Sequence, residues 1–370
     1  MLTYIWLVWS CLCCYLFHLA WWGTEKARRA EREIKGQWPF FEHPNLLKWN
    51  YWTMLLQSVT IAPFRIALFV AAFVVCLIAQ LCLGTVNEEN WIKRRLSSLS
   101  IFVCILAIFL ATGFKIEINQ INFDYSKWLG PKWQEEAQEF HKTKTVPTVI
   151  ANHTSGLFDV FTLLYLRTGH LGMVAASFIR GVPVISHCLN AGDAIYVNRE
   201  GSHTERDKLV DTIAERQNGI MNRKSPRKPL GIFPEGFSTI GGISKFKRGA
   251  FNSLNPVTPV CLKQLPATVY IGCYSSADHC PMIARMCTLG INRMQVDVMP
   301  SFIPNEFLFA QRPDTPKWEV FADAVREAML EHSQLKPSDM SYTKSREYMA
   351  YFQKHDKFAW SKSFDKDKKQ

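Results

Sequence analysis

The sequence predicts an α/β fold, a mixed sheet flanked by helices and preceded by membrane helices. Two observations carry this prediction. All long apolar runs lie before Lys115, whereas after it short β-prone runs alternate with amphipathic stretches. The chain has 370 residues, 48% of them hydrophobic, which is enough to bury a substantial core. We therefore expect the α/β domain at residues 115–335 and a charged tail at residues 336–370.

The run LTYIWLVWSCLCCYLFHLAWW, within residues 1–23, predicts an N-terminal membrane anchor. No basic segment precedes it, and tryptophans stand where a signal peptidase needs small residues. A retained anchor is therefore favoured over a cleaved signal peptide. A buried core helix is the remaining alternative, but a helix that is apolar on every side needs a large protein around it.

The next two segments predict how the chain meets the membrane. Residues 24–60 contain TEKARRAEREIK, which the positive-inside rule assigns to the cytosol, so they are expected to form a basic, amphipathic linker. Residues 61–114 hold two more apolar runs, joined by the basic loop NEENWIKRRLSS. A basic loop is unfavourable between two crossings, so these runs predict either membrane helices or a re-entrant hairpin. In both cases the α/β domain faces the cytosol.

The charge and the cysteines narrow the classes of partner. The net charge is +11, but no nucleic-acid motif is present, so anionic membrane lipids and phosphorylated substrates are expected and nucleic acid is not. Six of the eleven cysteines lie in the apolar runs, and the other five form no CxxC pair. Neither a zinc site nor a disulfide framework is favoured, and no calcium loop occurs, so no metal is expected.

Short runs after Lys115 predict alternating strands and helices. The strand candidates are TVPTVIA, LGMVAASFI, DAIYVNR, PLGIFPEG, VTPVCLK, ATVYIGCY and MQVDVMPSF. The helix candidates are DVFTLLYLR, HTERDKLVDTIAERQ and TPKWEVFADAVREAMLEH. In the last of these, Thr315 is expected to be the N-cap and Pro316 to lie in the first turn.

The stretch NHTSGLFD places His153 and Asp159 after a strand candidate, where open α/β sheets carry their sites. A histidine can take a proton near neutral pH and an acid can orient it. Two polar residues in a structural turn are the plain alternative. Thr154 and Ser155 are expected to cap the helix that follows, and Gly156 permits an unusual backbone angle.

Four further motifs hold candidates for binding a hydroxyl or a phosphate. FPEGFST ends a strand candidate, and a flexible glycine beside an acid and hydroxyl groups can hold such a substrate. KFKRGAF and AIYVNR offer basic side chains that are either an anion clamp or surface charges, and VTPV puts a proline in a strand, which requires an edge or a bulge. The candidates are Glu235, Gly236 and Ser238 in FPEGFST, Lys247 in KFKRGAF, Arg199 in AIYVNR and Pro259 in VTPV.

The ordered set NHTSGLFD, GDAIYVNR, FPEGFST and VTPV resembles the four motif blocks of the glycerophospholipid acyltransferase family. KFKRGAF and TIAPFRIALFVAAF are most similar to its lysophosphatidylcholine and lysophosphatidylethanolamine acyltransferase branch. The similarity covers roughly residues 50–330. It implies transfer of an acyl group from acyl-CoA, as co-substrate without a further cofactor, to the free hydroxyl of a lysophospholipid at the endoplasmic reticulum membrane.

The resemblance also implies roles for individual residues. His153 is the general base and Asp159 orients it; the other candidates bind substrate, with Arg199, Glu235 and Gly236 positioning the acceptor and Pro259 shaping an acyl-binding wall. The family has four residues between the histidine and the acid, whereas this chain has five. In a helical turn one extra residue rotates a side chain by about 100°, and Gly156 is the residue that can absorb it.

Three alternatives follow from these residues. The acceptor can be glycerol 3-phosphate or lysophosphatidic acid, because the basic candidates suit any glycerophosphate. The extra residue before Asp159 also allows a catalytically silent, lipid-binding relative. The final KDKKQ is similar to dilysine retrieval signals of the endoplasmic reticulum, with a chance run of lysines as the alternative.

Overall fold

A computed structural model gives the fold of most of the chain. The residues it describes are 2–23, 25–33, 36–42, 50–83, 90–181, 186–187, 189–190, 192–198, 201–265, 287 and 292–353. The strand candidate ATVYIGCY and the motif KDKKQ lie outside these residues.

A mixed seven-stranded sheet forms the centre, in the order β1-β8-β7-β2-β5-β3-β4. Its strands are β1 Phe114–Gln120, β2 Thr148–Ala151, β3 Gly172–Ala176, β4 Ile195–Val197, β5 Leu230–Ile232, β7 Val257–Gln264 and β8 Asn292–Val298. Two short strands, β6 Gly242–Ile243 and β9 Lys336–Pro337, pair separately. The α/β class with a mixed sheet is confirmed.

Strand direction defines two opposite edges of this sheet. β2, β3, β4, β5 and β7 are mutually parallel. Their N-terminal ends therefore lie together at one end of the sheet, called the amino edge, and their C-terminal ends lie together at the other, called the carboxyl edge. β8 runs antiparallel to β7, and β1 runs parallel to β8. Ligand sites of open α/β sheets form at the carboxyl ends of the strands, which here include the end of β2 just before His153.

Twelve helices surround the sheet within the described residues. They are α1 Leu2–Gly23, α2 Glu25–Glu33, α3 Tyr51–Thr60, α4 Ala62–Leu83, α5 Trp91–Thr112, α6 Ser126–Leu129, α7 Trp133–Thr143, α8 Leu157–Leu166, α9 His203–Met221, α10 Glu306–Ala310, α11 Lys317–Ser333 and α12 Tyr342–Gln353. Helices α4 and α5 are long and apolar enough to cross a membrane, and the described part of the chain holds a shorter apolar stretch at Thr3–Leu19.

Helix α5 packs along the domain rather than away from it. Its buried side chains recur every three or four residues from Ser97 to Thr112, about 22 Å of helix. Phe102 stacks on Tyr165 of α8, with ring centroids 5.4 Å apart. One apolar core therefore contains residues of α4, α5, α8 and one face of the sheet. The opposite face packs mainly against α6, α10 and α11.

Some local predictions from the sequence fail. Strand β1, FKIEINQ, is missing from the predicted strands, although its alternating pattern is visible. Helix α11 begins at Lys317 with Pro316 as the N-cap residue and without a side-chain cap. Thr315 is therefore not the N-cap; its N–H instead donates to the carbonyl of Arg312, closing a turn before the helix.

Candidate active site

The loop between β2 and α8 brings His153 and Asp159 into direct contact. His153 Nδ1 lies 2.8 Å from Asp159 Oδ2. The same oxygen accepts the backbone N–H groups of Thr154 at 2.6 Å and Ser155 at 2.7 Å, and the Ser155 hydroxyl donates to Oδ1. Because the Asp159 carboxyl group acts as an acceptor in these contacts, the His153 ring donates to it from Nδ1 and leaves Nε2 as an acceptor.

Gly156 absorbs the extra residue between the two side chains. It is the N-cap residue of α8, with φ 62° and ψ −110°, a conformation that side chains other than hydrogen strongly disfavour. Helix α8 then starts at Leu157, and Asp159 falls in its first turn, where the helix dipole favours a negative charge. The predicted capping by Thr154 and Ser155 is wrong in direction: both donate to Asp159 instead of accepting from the helix.

The imidazole of His153 stacks on one aromatic ring and remains partly exposed. It stacks on Phe233, with ring centroids 4.2 Å apart and 13° between the planes. Its side chain is 15% exposed, whereas Asp159 is fully buried. Phe233 follows directly on β5. Stacking and the bond to Asp159 fix both the plane and the rotation of the ring.

Glu235 connects the turn after β5 to the loop that carries His153. Its Oε1 accepts the backbone N–H of His153 at 2.8 Å, and its Oε2 accepts that of Ser244 at 2.7 Å. The backbone N–H of Thr239 donates to the carbonyl of His153 at 2.7 Å. The side chain of Glu235 is fully buried, so its carboxyl group contacts protein and holds the loop from behind.

Burial raises the pKa of Glu235 to about 8, although backbone donors partly oppose the shift. The contacts of Thr239 agree with a protonated carboxyl group. Its hydroxyl lies 2.8 Å from the carbonyl of Gly242 and 3.2 Å from Glu235 Oε2. Because this hydroxyl has one proton, donation to the carbonyl leaves its oxygen to accept from a protonated Glu235.

Gly236, Ser238 and Lys247 lie around the same turn. Gly236 has φ +77°, and a Cβ built on it would lie 3.0 Å from Lys247 Nζ. The Lys247 N–H donates to the carbonyl of Pro234 at 2.9 Å, which holds the two motifs together. Ser238 is 3% exposed, and its hydroxyl has no hydrogen-bond partner among the described residues. A glycerophosphate would offer that hydroxyl an acceptor.

Pro259 and Arg199 differ from the other candidates. Pro259 is in β7, an interior strand between β2 and β8, so it is not at an edge. It lies beside an irregularity in the pairing: Val257 pairs with Phe302 and the Pro259 carbonyl accepts from the Met299 N–H, so Thr258 is opposed by two residues, 300 and 301. The bulge alternative is the one observed. Arg199 lies outside the described residues.

An aromatic cluster covers the FPEGFST turn from the outside. It joins residues 36–42, helix α12 and Phe237, and its members are Ala30, Trp38, Phe41, Phe237, Met340, Tyr342, Tyr348 and Tyr351. The backbone N–H of Ile240 also donates to the carbonyl of Phe40 at 2.6 Å. Lys247 Nζ lies over the Tyr342 ring, 5.4 Å from its centroid. Segments from both ends of the described chain thus support this turn.

Sequence reasoning missed several residues that build the site. Phe233, Thr239 and Ser244 were not candidates, although all three lie in or beside the quoted motifs. Asn152 is also missing: it is 1% exposed, and its amide bridges to Leu262 of β7 in both directions, at 2.9 and 2.7 Å. The position of Phe233, directly after a buried strand and before Pro234, is the signal that could have found it.

Comparison with known proteins matches the part of the chain that contains the four motifs. Residues 136–263 match the Acyltransferase family model. The chain is 28% identical to rat lysophosphatidylcholine acyltransferase 2B over 320 residues, 82% of this chain and 54% of that protein. It is also 28% identical to lysophospholipid acyltransferase LPEAT1 of Arabidopsis thaliana over 206 residues (55% and 48%) and to Drosophila melanogaster lysophosphatidylcholine acyltransferase over 203 residues (52% and 34%).

The chain thus spans about half the length, or less, of these relatives. Among solved structures, it is similar to the 1-acyl-sn-glycerophosphate acyltransferase PlsC from Thermotoga maritima, with a TM-score of 0.48 and 12% identity over 76% of this chain and all of that one. The sequence matches confirm the resemblance predicted from the four motifs.

Proposed function

We propose, from the premise that this chain carries a domain of the acyltransferase family, that it esterifies the free hydroxyl of a lysophospholipid with the acyl group of acyl-CoA. The acceptor is of the lysophosphatidylcholine or lysophosphatidylethanolamine type. One observation carries the proposal: His153 Nδ1 is bonded to the buried Asp159, while the ring's other nitrogen is free to take a proton.

The His153 ring supports a general-base mechanism. An alcohol is a poor nucleophile at neutral pH, and a base within hydrogen-bond reach accelerates its attack by about 10²- to 10⁴-fold. Nε2 takes the hydroxyl proton as the alcohol oxygen bonds to the thioester carbonyl carbon. When the C–S bond breaks, the imidazolium returns the proton to the departing thiolate. Asp159 stabilises the imidazolium and fixes the tautomer throughout.

The turn after β5 supports binding of the acceptor next to His153. Lys247 is a point charge for a phosphate, and the hydroxyl of the buried Ser238 supplies a hydrogen bond. The backbone N–H of Thr239 is committed to the carbonyl of His153, which keeps the acceptor turn and the base in a fixed relation. Glu235 acts through that relation, as a positioning residue rather than a ligand.

The test compares two histidine–aspartate pairs of this chain. His332 Nε2 lies 2.9 Å from Asp297 Oδ2, on α11 and β8. Membranes with His153→Gln should lose about 10²- to 10⁴-fold of thiol release from acyl-CoA in the presence of lysophosphatidylcholine or lysophosphatidylethanolamine. His332→Gln should retain activity once scaled for protein amount. Full activity of His153→Gln at equal protein would refute the mechanism.

The choice of acceptor is tested in the same assay. Glycerol 3-phosphate and lysophosphatidic acid are offered beside the two zwitterionic lysolipids, with free thiol as the readout. The proposal expects the lysolipids with choline or ethanolamine head groups to be esterified fastest. A preference for glycerol 3-phosphate would agree with acyltransferase activity but would refute the proposed acceptor.

The extra residue before Asp159 was the reason to consider a catalytically silent, lipid-binding relative. That reason is removed, because the extra residue does not separate His153 from Asp159. We place the activity at the endoplasmic reticulum membrane with the catalytic domain facing the cytosol. Support comes from the two helices long enough to span a membrane and from the basic segments that adjoin them.

A further inference from the structure

We propose that the amino edge of the sheet, opposite His153, is a second lipid-binding surface that holds the phosphate groups of anionic phospholipid head groups. It is separate from the carboxyl edge, where the candidate active site lies. No step of the proposed acyl transfer uses it.

Topology gathers basic residues at this edge. The segments that lead into β2, β3, β4 and β5 are residues 142–147, 167–171, 192–194 and 222–229. They hold seven lysines or arginines, of which Lys142 pairs with Glu139 of α7 at 2.6 Å, and a single acid of their own, Asp193. The basic residues are Lys142, Lys144, Arg167, Arg223, Lys224, Arg227 and Lys228. Because parallel strands start side by side, these segments lie along one edge.

The first turn of α5 adds three more charges to the same edge. It carries Lys93, Arg94 and Arg95, and the carbonyl of Ser98 lies so close to Gly169 that a Cβ there would meet it. Gly169 precedes β3. Contact between the start of α5 and the segment before β3 therefore joins the helix and strand contributions into one basic surface.

Part of this charge is built into the protein interior. Lys228 is 3% exposed, and its Nζ lies 3.4 Å from the carbonyl of Gly169. Arg216 is 5% exposed; it pairs with Asp193 at 3.0 Å and donates to the carbonyl of Lys228 at 2.9 Å. The one acid of these segments is thus committed to Arg216, which is an eighth cation and not one of the seven.

The positive potential at this edge affects the protonation of a neighbouring histidine, His170. Burial, together with the smaller effects of the positive charges of Lys228, Arg95, Arg94 and Arg167, lowers the pKa of His170 to about 4. His170 Nδ1 is buried without a hydrogen-bond partner among the described residues. An anion at this edge would lower the repulsion among the cations.

Exposed apolar side chains at the start of α5 indicate which kind of anion this surface binds. Trp91, Ile92, Leu96 and Leu99 are exposed on α5 at the same end as the basic turn. The surface is therefore apolar and basic side by side, which is the composition of a membrane interface with acyl chains beside phosphates. Free phosphate would use the cations and leave the apolar neighbours without a partner.

The test measures retention of labelled lipid by the full chain in nonionic detergent. Phosphatidylserine and phosphatidylcholine are compared on the wild type and on Arg95→Gln/Lys224→Gln, which removes two exposed charges of the edge. Each cation near an anionic surface contributes about fivefold, so phosphatidylserine retention should fall about 25-fold, with phosphatidylcholine retention unchanged. Lys132→Gln/Lys336→Gln removes the same charge elsewhere and should leave both unchanged.

Two results would overturn the proposal. They are equal loss in the control variant and unchanged phosphatidylserine retention in Arg95→Gln/Lys224→Gln. Thermal unfolding of each variant shows that it is folded. Because retention is read without acyl-CoA, its outcome is independent of the acyltransferase assay.

Discussion

At the scale of single residues, the buried side chains of Asp159 and Glu235 have different roles in the site. Asp159 is surrounded by donors from its own loop, whereas Glu235 bonds two backbone N–H groups and carries a pKa raised to about 8 by burial. One holds the proton of the His153 ring in place. The other holds the backbone of the same residue.

The raised pKa of Glu235 predicts a pH dependence of stability. A folded-state pKa above the unfolded value, here about 8 against 4.5, means that the folded protein binds the proton more tightly. The stabilisation is complete below the unfolded pKa and is lost as pH rises through about 8. Between pH 6 and pH 8.5 the loss is on the order of 2 kcal/mol.

Chemical denaturation at several pH values checks this. Glu235→Gln should flatten the decline, because it has no carboxyl group to titrate. It should also be less stable at low pH by about 1–3 kcal/mol, since one amide oxygen cannot accept both N–H groups. Glu331→Gln, at an exposed carboxylate, should keep the wild-type slope. The same slope in Glu235→Gln would show that another group titrates.

The sequence identified the chemistry of the site better than its connections. His153 and Asp159 could be paired from their motif, and the structure brings them together. The burial of Glu235 could not be predicted, because it depends on residues 239–244 folding back over the turn. Contacts between motifs far apart in the chain have no local sequence pattern.

At the scale of elements, the junction between β2 and α8 depends on one glycine. Gly156→Ala should cost about 1–3 kcal/mol, because its conformation is strained for any side chain. Activity should fall more than stability explains, since relief of the strain moves Asp159 relative to His153. Activity at a temperature where the variant is fully folded separates the two effects. Gly181→Ala, which meets nothing within 4 Å, is the control.

Helix α12 stabilises the FPEGFST turn through Tyr348, which is fully buried in the aromatic cluster. Tyr348→Ala should lower the free energy of unfolding by about 3–5 kcal/mol, the usual cost of removing a large buried ring. It should also raise the KM for lysolipid, because residues 36–42 and Phe237 lose their support. Glu347→Ala on the exposed side of the same helix should change neither quantity, and an unchanged KM in Tyr348→Ala would separate the cluster from acceptor binding.

The sequence predicted most long elements and missed those set by tertiary contacts. β3, β5, β7, β8 and helices α8, α9 and α11 lie where the periodic patterns placed them. β1 was missed because it directly follows α5 and only its pairing with β8 stabilises it as a strand. Pro259 argued against an interior strand, and the bulge that accommodates it depends on residues 299–302.

At the scale of the molecule, helix α5 belongs to two environments. One face is part of the core shared with α8 and the sheet, and the other exposes Leu99, Val103 and Leu110. A helix that crosses a bilayer at right angles would carry the whole domain into the hydrocarbon, where its polar surface is costly. The packing therefore favours a hairpin whose two helices, α4 and α5, lie along one leaflet over two crossings.

This arrangement predicts on which side of the membrane the start of α5 lies. In a crossing, Lys93 would be about 30 Å from the α/β domain, on the opposite side of the membrane, whereas in a hairpin that lies along one leaflet it shares the domain's side with Lys132. Lys93→Cys and Lys132→Cys in sealed microsomes should therefore react with a membrane-impermeant maleimide at similar rates above the wild-type background. If Lys93→Cys gained label only after permeabilisation, α5 would span the bilayer and the basic amino edge could not share a leaflet with the active site.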